Sequence, residues 1–140
     1  KEIEPLVGLP ESFDVRENWP GCESVHEIVI NQHVVMLAFG AAEAMSDRLC
    51  IASDKKSKPE FNEDLLTCCG VSCGFGCNGG FLGGAWSYFK NNGLVTGNEH
   101  NNFEWCRAYS FAPCDHHTEG TLGPCGASQP TPKCNKVCST

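Results

Sequence analysis

Eleven cysteines in 140 residues, about 8 % of the chain, constrain this sequence more than any other feature. Alongside 15 glycines and 8 prolines, such a density marks a disulfide scaffold formed in an oxidising compartment, so a lysosomal, vacuolar or extracellular location is expected. Eleven is odd, so at least one thiol lacks a partner within the chain. The densest run, CCGVSCGFGC at 68–77, admits two readings. Four thiolates at short spacing can enclose a tetrahedral zinc ion, but adjacent Cys68 and Cys69 suit one ion poorly, and disulfides account for the same residues without a metal or other cofactor.

A chain of this length builds one domain, or one lobe of a larger fold, with a modest core. Its formal charge is −7, and its ten Lys and Arg residues are scattered. That distribution offers no surface to a phosphate backbone and excludes nucleic acid as an expected partner. The opening KEIEPLVG is no apolar leader, and no apolar run reaches a membrane span, so no membrane association is expected and the chain reads as processed or truncated. There is no Asn-x-Ser/Thr sequon.

Pro5, Pro10 and Pro20 predict an extended arm over residues 1–20, with 1–8 a linker or propeptide-like remnant and the first regular element near Met36. From there an Ala-rich stripe through Leu37, Ala41, Ala44 and Met45 predicts a buried central helix over 36–50. Asn62 followed by Glu63 and Asp64 predicts a capped short helix over 63–68, the two carboxylates favoured by the orphan amides and the dipole. The glycines of 68–80 predict a cross-linked loop. Phe81, Ala85, Trp86 and Phe89 lie on one helical face that Gly93 ends. From Cys106 to Cys138 no pattern persists, so that segment needs cross-links to be ordered. The expected fold is mainly α with long disulfide-linked loops.

Several stretches carry a family resemblance: LPESFDVRENWPGC (9–22), AFGAAEAMSDRLC (38–50), DLLTCCGVSCGFGCNGG (64–80), CRAYSFAPCDHHTEG (106–120) and TPKCNKVC (131–138). Together these resemble a cathepsin B-type cysteine peptidase of the papain family, over about nine-tenths of the chain. The resemblance implies the left-hand, helical lobe of a two-lobed fold over 9–140, with 106–138 similar to the occluding loop and the strand-rich lobe absent. It also implies pairs Cys22–Cys50, Cys68–Cys134, Cys69–Cys73, Cys106–Cys138 and Cys114–Cys125, leaving Cys77 free, because its usual partner position holds His33. His33 beside Cys77 would raise the thiolate content of that thiol; the alternative is an inert buried thiol with His33 turned to solvent.

In the family a Gln and a Gly/Ser/Cys-rich turn precede the nucleophilic Cys and Trp-Ala-Phe-Gly. Here Ala38-Phe39-Gly40 places Leu37 at the Trp and Met36 at the Cys. A helix N-terminus stabilises a thiolate at that position, but a thioether has no proton to lose and cannot form an acyl-enzyme. Gln32 resembles the oxyanion-hole Gln, yet it precedes Ala38 by two positions too few, a displacement that oxyanion stabilisation does not tolerate. No residue corresponds to the catalytic His or Asn. His116 and His117 resemble the pair that holds a substrate's C-terminal carboxylate; the alternative is two solvated histidines, with Leu122 and Asn31 standing where Arg and Asp would anchor the loop. Gly79, Gly80, Phe81 and Leu82 resemble a substrate-pairing edge and its neighbouring subsite, or else turn and helix packing.

The expected function is an inactive cathepsin B-like homologue that binds peptides, peptidase inhibitors or a peptidase. The alternative is a truncated piece of a cysteine-type endopeptidase or dipeptidyl carboxypeptidase. A living enzyme completed by a second chain conflicts with Met36, since a partner can supply a base but not a nucleophile. An apolar face including Leu37 and Trp86 would promote self-association.

Overall fold

The computed structural model describes residues 8–26, 36–54, 62–115 and 120–139. Within them the chain is helix and loop with one small sheet, and its core lies where three helices meet.

The arm before residue 27 is not simply extended. Helix α1 (Val15–Asn18) begins because Asp14, in an extended conformation, accepts the Arg16 N–H at 2.9 Å, which satisfies one orphan amide of the first turn. The Arg16 guanidinium folds back on the same carboxylate, and these bonds pull the Asp14 pKa down to about 2. Phe13 and Trp19 meet edge to face at 5.9 Å across the helix. A 3-10 turn follows at Glu23–His26, so the first regular element precedes Met36 by some twenty residues. Cys22–Cys50 ties the arm to the central helix.

Helix α2 runs Met36–Ala52, two residues beyond the expected end, and stops at Asp54, whose φ of 52° is left-handed. Ala38, Ala41, Ala42 and Met45 are buried; the alanines let neighbouring helices approach closely. Helix α3 (Asn62–Cys68) packs on α2 and buries every residue from Glu63 to Thr67. Its acidic pair stands in the first turn, as the helix dipole favours, but is withdrawn from solvent. Helix α4 (Leu82–Asn92) also packs on α2, burying Ala85 and bringing Trp86, Tyr88 and Phe89 against the core. Gly93 caps it at φ 73°, its N–H reaching the Phe89 carbonyl at 3.0 Å.

Strands β1 (Gly97–His100) and β2 (Arg107–Tyr109) pair in parallel with an irregularity between Asn98 and His100. This corrects the expectation of a patternless segment after Cys106; three residues are too few for an alternation to be read. Burying Glu63 (1 % exposed) demands partners, and this region supplies them. Arg107 Nη2 lies 3.4 Å from Glu63 Oε1, and the Ser110 N–H and hydroxyl donate to the same carboxylate at 3.0 and 2.6 Å. Phe39, Tyr109 and Phe111 continue the core as edge-to-face rings at 5.0 and 5.7 Å.

Candidate functional site

Met36 is the first residue of α2, so the position that the resemblance gives to a nucleophile does open the helix. Gln32, His33, His116 and His117 lie outside the described residues.

The loop between α3 and α4 is a closed ring of backbone. Cys69–Cys73 fastens it beside α3, and 3-10 turns occupy Gly70–Ser72 and Gly76–Asn78. Gly74 and Gly80 then face each other across an antiparallel bridge, flanked by Phe75 N–H to the Gly79 carbonyl at 2.8 Å and Phe81 N–H to the Cys73 carbonyl at 2.7 Å. Only glycines fit so close an approach, since a Cβ on Gly80 would lie 1.9 Å from the Cys73 carbonyl oxygen. At such a bridge the hydrogen bonds belong to the flanking residues. The amide and carbonyl of Gly80 therefore turn away from Gly74, and among the described residues they take no partner.

This exposed peptide unit is bordered by apolar side chains. Phe75 (67 % exposed) and Phe81 (59 %) meet edge to face at 6.4 Å, and Leu82 and Val71 are exposed as well. Behind Phe75 a cavity of about 230 Å³ is lined by Leu37, Leu66, Gly74, Gly79 and Thr131 among others. Leu37 and Trp86 themselves are half-buried, Trp86 with the Arg48 guanidinium 4.7 Å above its ring. Leu37 thus borders the apolar face of the glycine loop, whereas α4 turns Trp86 toward the core. Phe75 was missed in the sequence; an aromatic between two glycines in a cross-linked loop has no helix or strand to bury it, and that was the available signal.

Ten cysteines form the pairs Cys22–Cys50, Cys68–Cys134, Cys69–Cys73, Cys106–Cys138 and Cys114–Cys125. Cys77 is free and half-buried against the core, its N–H donating to Thr131 Oγ1 at 2.9 Å. With Cys68, Cys69 and Cys73 bonded to sulfur, the 68–77 run has no four-thiolate shell for zinc. Nearby, burial and then the Glu63 and Cys77 charges push the Tyr109 hydroxyl pKa far up, and among the described residues that hydroxyl has no partner.

The segment after β2 is braced at Asp115. Its carboxylate accepts the Leu122 and Gly123 N–H groups at 2.9 and 3.0 Å, and its own backbone pairs with Gly123 and Cys125. Cys114–Cys125 closes the same loop.

The sequence matches the model of the papain family cysteine proteases over residues 9–138. It is 47 % identical over 137 residues to "Cathepsin B-like cysteine proteinase 6" of Caenorhabditis elegans, covering 94 % of this chain and 36 % of that protein. With "Cathepsin B-like cysteine proteinase" of Schistosoma japonicum it shares 42 % identity over 135 residues, 94 % of this chain and 39 % of the relative. The chain therefore spans less than two fifths of the length of these curated relatives. Among solved structures it resembles proCathepsin B S9 from Trypanosoma congolense, with a TM-score of 0.72 and 32 % identity over 95 % of this chain and 39 % of that one. A chain of the Haemonchus galactose containing glycoprotein complex gives 0.60 and 32 %, covering 89 % and 58 %. Helices packed as a lobe, five disulfides and these matches agree: the chain belongs to the papain family of cysteine proteases.

Proposed function

We propose that this chain is a cathepsin B-like homologue that binds extended peptide without cleaving it. The observation that carries this reading is Met36 as the first residue of α2. A thiolate at a helix N-terminus is activated by the dipole and its free amides; a methionine sulfur is already alkylated and accepts no activation.

Supporting the binding half, Gly80 offers one N–H and one C=O beside the Phe75–Phe81 pair. An extended segment adds to such an edge through main-chain bonds and places alternate side chains on the apolar border. Peptidase inhibitors and a peptidase's own extended segments present the same chemistry and are the proposed macromolecular partners. The Asp115-braced loop is proposed to correspond to the occluding loop, and the disulfides to reflect a lysosomal, vacuolar or extracellular site of action.

The test treats purified chain with dipeptidyl and endopeptidase substrates and with an epoxide-type thiol inhibitor, then follows backbone amides by NMR during titration with an apolar extended peptide. No turnover, no label at α2 and a shift of the Gly80 amide are expected. Inhibitor-sensitive hydrolysis would overturn the inactive assignment, and an unmoved Gly80 at saturating peptide would overturn the binding one.

A further inference from the structure

Two carboxylates stand side by side at the start of α3 and are treated very differently. Glu63 receives three hydrogen bonds, including one from the Arg107 guanidinium. Asp64 is 7 % exposed, and among the described residues its carboxylate has one hydrogen bond, a long one of 3.4 Å from the Val95 N–H. An ionised carboxylate withdrawn from water needs several donors or a close cation to offset its lost hydration. Here the guanidinium is already engaged by the neighbouring acid.

The elements packed around Asp64 do not repair this. Strand β2 brings Arg107, whose ion pair is with Glu63 and whose charge offsets the burial of Asp64 only in part. The 133–139 segment brings Lys136, whose positive charge lowers the Asp64 pKa by less than burial raises it. Helix α4 brings Tyr88, a neutral hydroxyl whose pKa is raised by burial first and by the Asp64 charge second, so it supplies no cation. Of the ionisable groups on α2, Glu43 and Asp47 add no cation and Arg48 lies over Trp86. On β1, Glu99 is exposed and His100 Nδ1 is 3.0 Å from the Tyr109 carbonyl oxygen.

We propose that Asp64 is a proton-linked clasp between α3 and the chain entering β1, so that mild acid tightens this lobe and neutral pH loosens it. A protonated Asp64 has no charge to hydrate and can keep the Val95 N–H on its carbonyl oxygen. An ionised one pulls water toward the joint between Leu94 and Gly97. Burial, the largest influence on this group, pushes its pKa up from the ordinary carboxylate value. The folded state thus holds the proton more tightly than the unfolded chain does. The contribution is complete below the unfolded pKa near 4 and is lost as pH rises above it through the folded value.

The experiment compares parent and Asp64→Asn, with disulfides intact, by urea denaturation from about pH 4 to about pH 7. Asn keeps the shape and the acceptor for Val95 but cannot ionise. The parent's urea midpoint is expected to fall toward neutral pH relative to the variant, the two curves meeting near the acid end and the variant exceeding the parent at the neutral end. A constant offset, or a variant weaker at every pH, would overturn the proposal. Should the variant not refold, carboxyl-carbon NMR of the parent reads Asp64 directly: a midpoint above ordinary carboxylates supports the clasp, and one at or below them removes it.

Discussion

The helices α2, α3 and α4 and the described residues of the tail, 112–115 and 120–139, are held in place by opposite means. The first region buries Met45, Leu65, Leu66 and Ala85 in a continuous apolar cluster. In the second no described residue is buried, and its path is set by Cys114–Cys125, Cys68–Cys134, Cys106–Cys138 and the Asp115 bonds. Burial lowers the energy of the folded chain, whereas a cross-link mainly removes conformations from the unfolded one. A lobe built this way tolerates change in tail side chains other than Asp115 but not in tail cysteines, whereas its helices are sensitive at their buried apolar side chains.

The comparison breaks most completely at Cys68–Cys134. Replacing both by alanine opens a separation of 66 residues, worth about 4 kcal/mol of loop closure. The tail should then become the first site of limited proteolysis while helical circular dichroism persists; joint loss of both signals would mean that the regions are not separable. Next in size, Met45→Ala removes a buried side chain of the helical cluster and should lower unfolding stability by about 3 kcal/mol, against about 0.5 kcal/mol or less for the exposed Val137→Ala control. Equal effects of these two in urea titrations would erase the distinction. The smallest effect belongs to α1. The Asp14 pKa is held down to about 2 by Arg16, so its support for the arm is present above the unfolded carboxylate pKa of about 4 and is lost as pH falls toward 2. Asp14→Ala should abolish that acid-range transition of the Trp19 emission and leave the core unmoved; an unchanged transition would assign it to another group.

How much of this was legible depends on whether the determinant is local. Helices α2 and α4 announce themselves by apolar spacing and by Gly93. Helix α1 was passed over, although Asp14 with Glu17 three residues later is a capping signal, because the flanking prolines were read first. The pairing of ten cysteines came from family resemblance, as spacing alone permits many connectivities. The place of Glu63 and Asp64 in the first turn of α3 is legible from the helix dipole, but their burial is not, since nothing near them in sequence reveals Arg107, Ser110 or Val95, which lie 31 to 47 positions away. Of the candidate site, the glycine edge and Met36 were visible as residue types, while the outward turn of Gly80's peptide unit depends on the bridge to Gly74 and could not be.

The adjacent cysteines at the end of α3, Cys68 and Cys69, have a consequence in time. Cys69 needs a partner four residues on, and Cys68 one that is sixty-six residues on. A chain made from its N-terminus exposes Cys68, Cys69, Cys73 and Cys77 together well before Cys134 exists, so oxidation meets an even set of four thiols whose nearest pairings are local and quick to close. Two of those four, Cys68 and Cys77, have no lasting claim on each other. Any Cys68–Cys77 bond closed in that interval must be opened by the Cys134 thiolate, which takes Cys68 and leaves Cys77 reduced, so the yield of correctly joined molecules depends on redox kinetics.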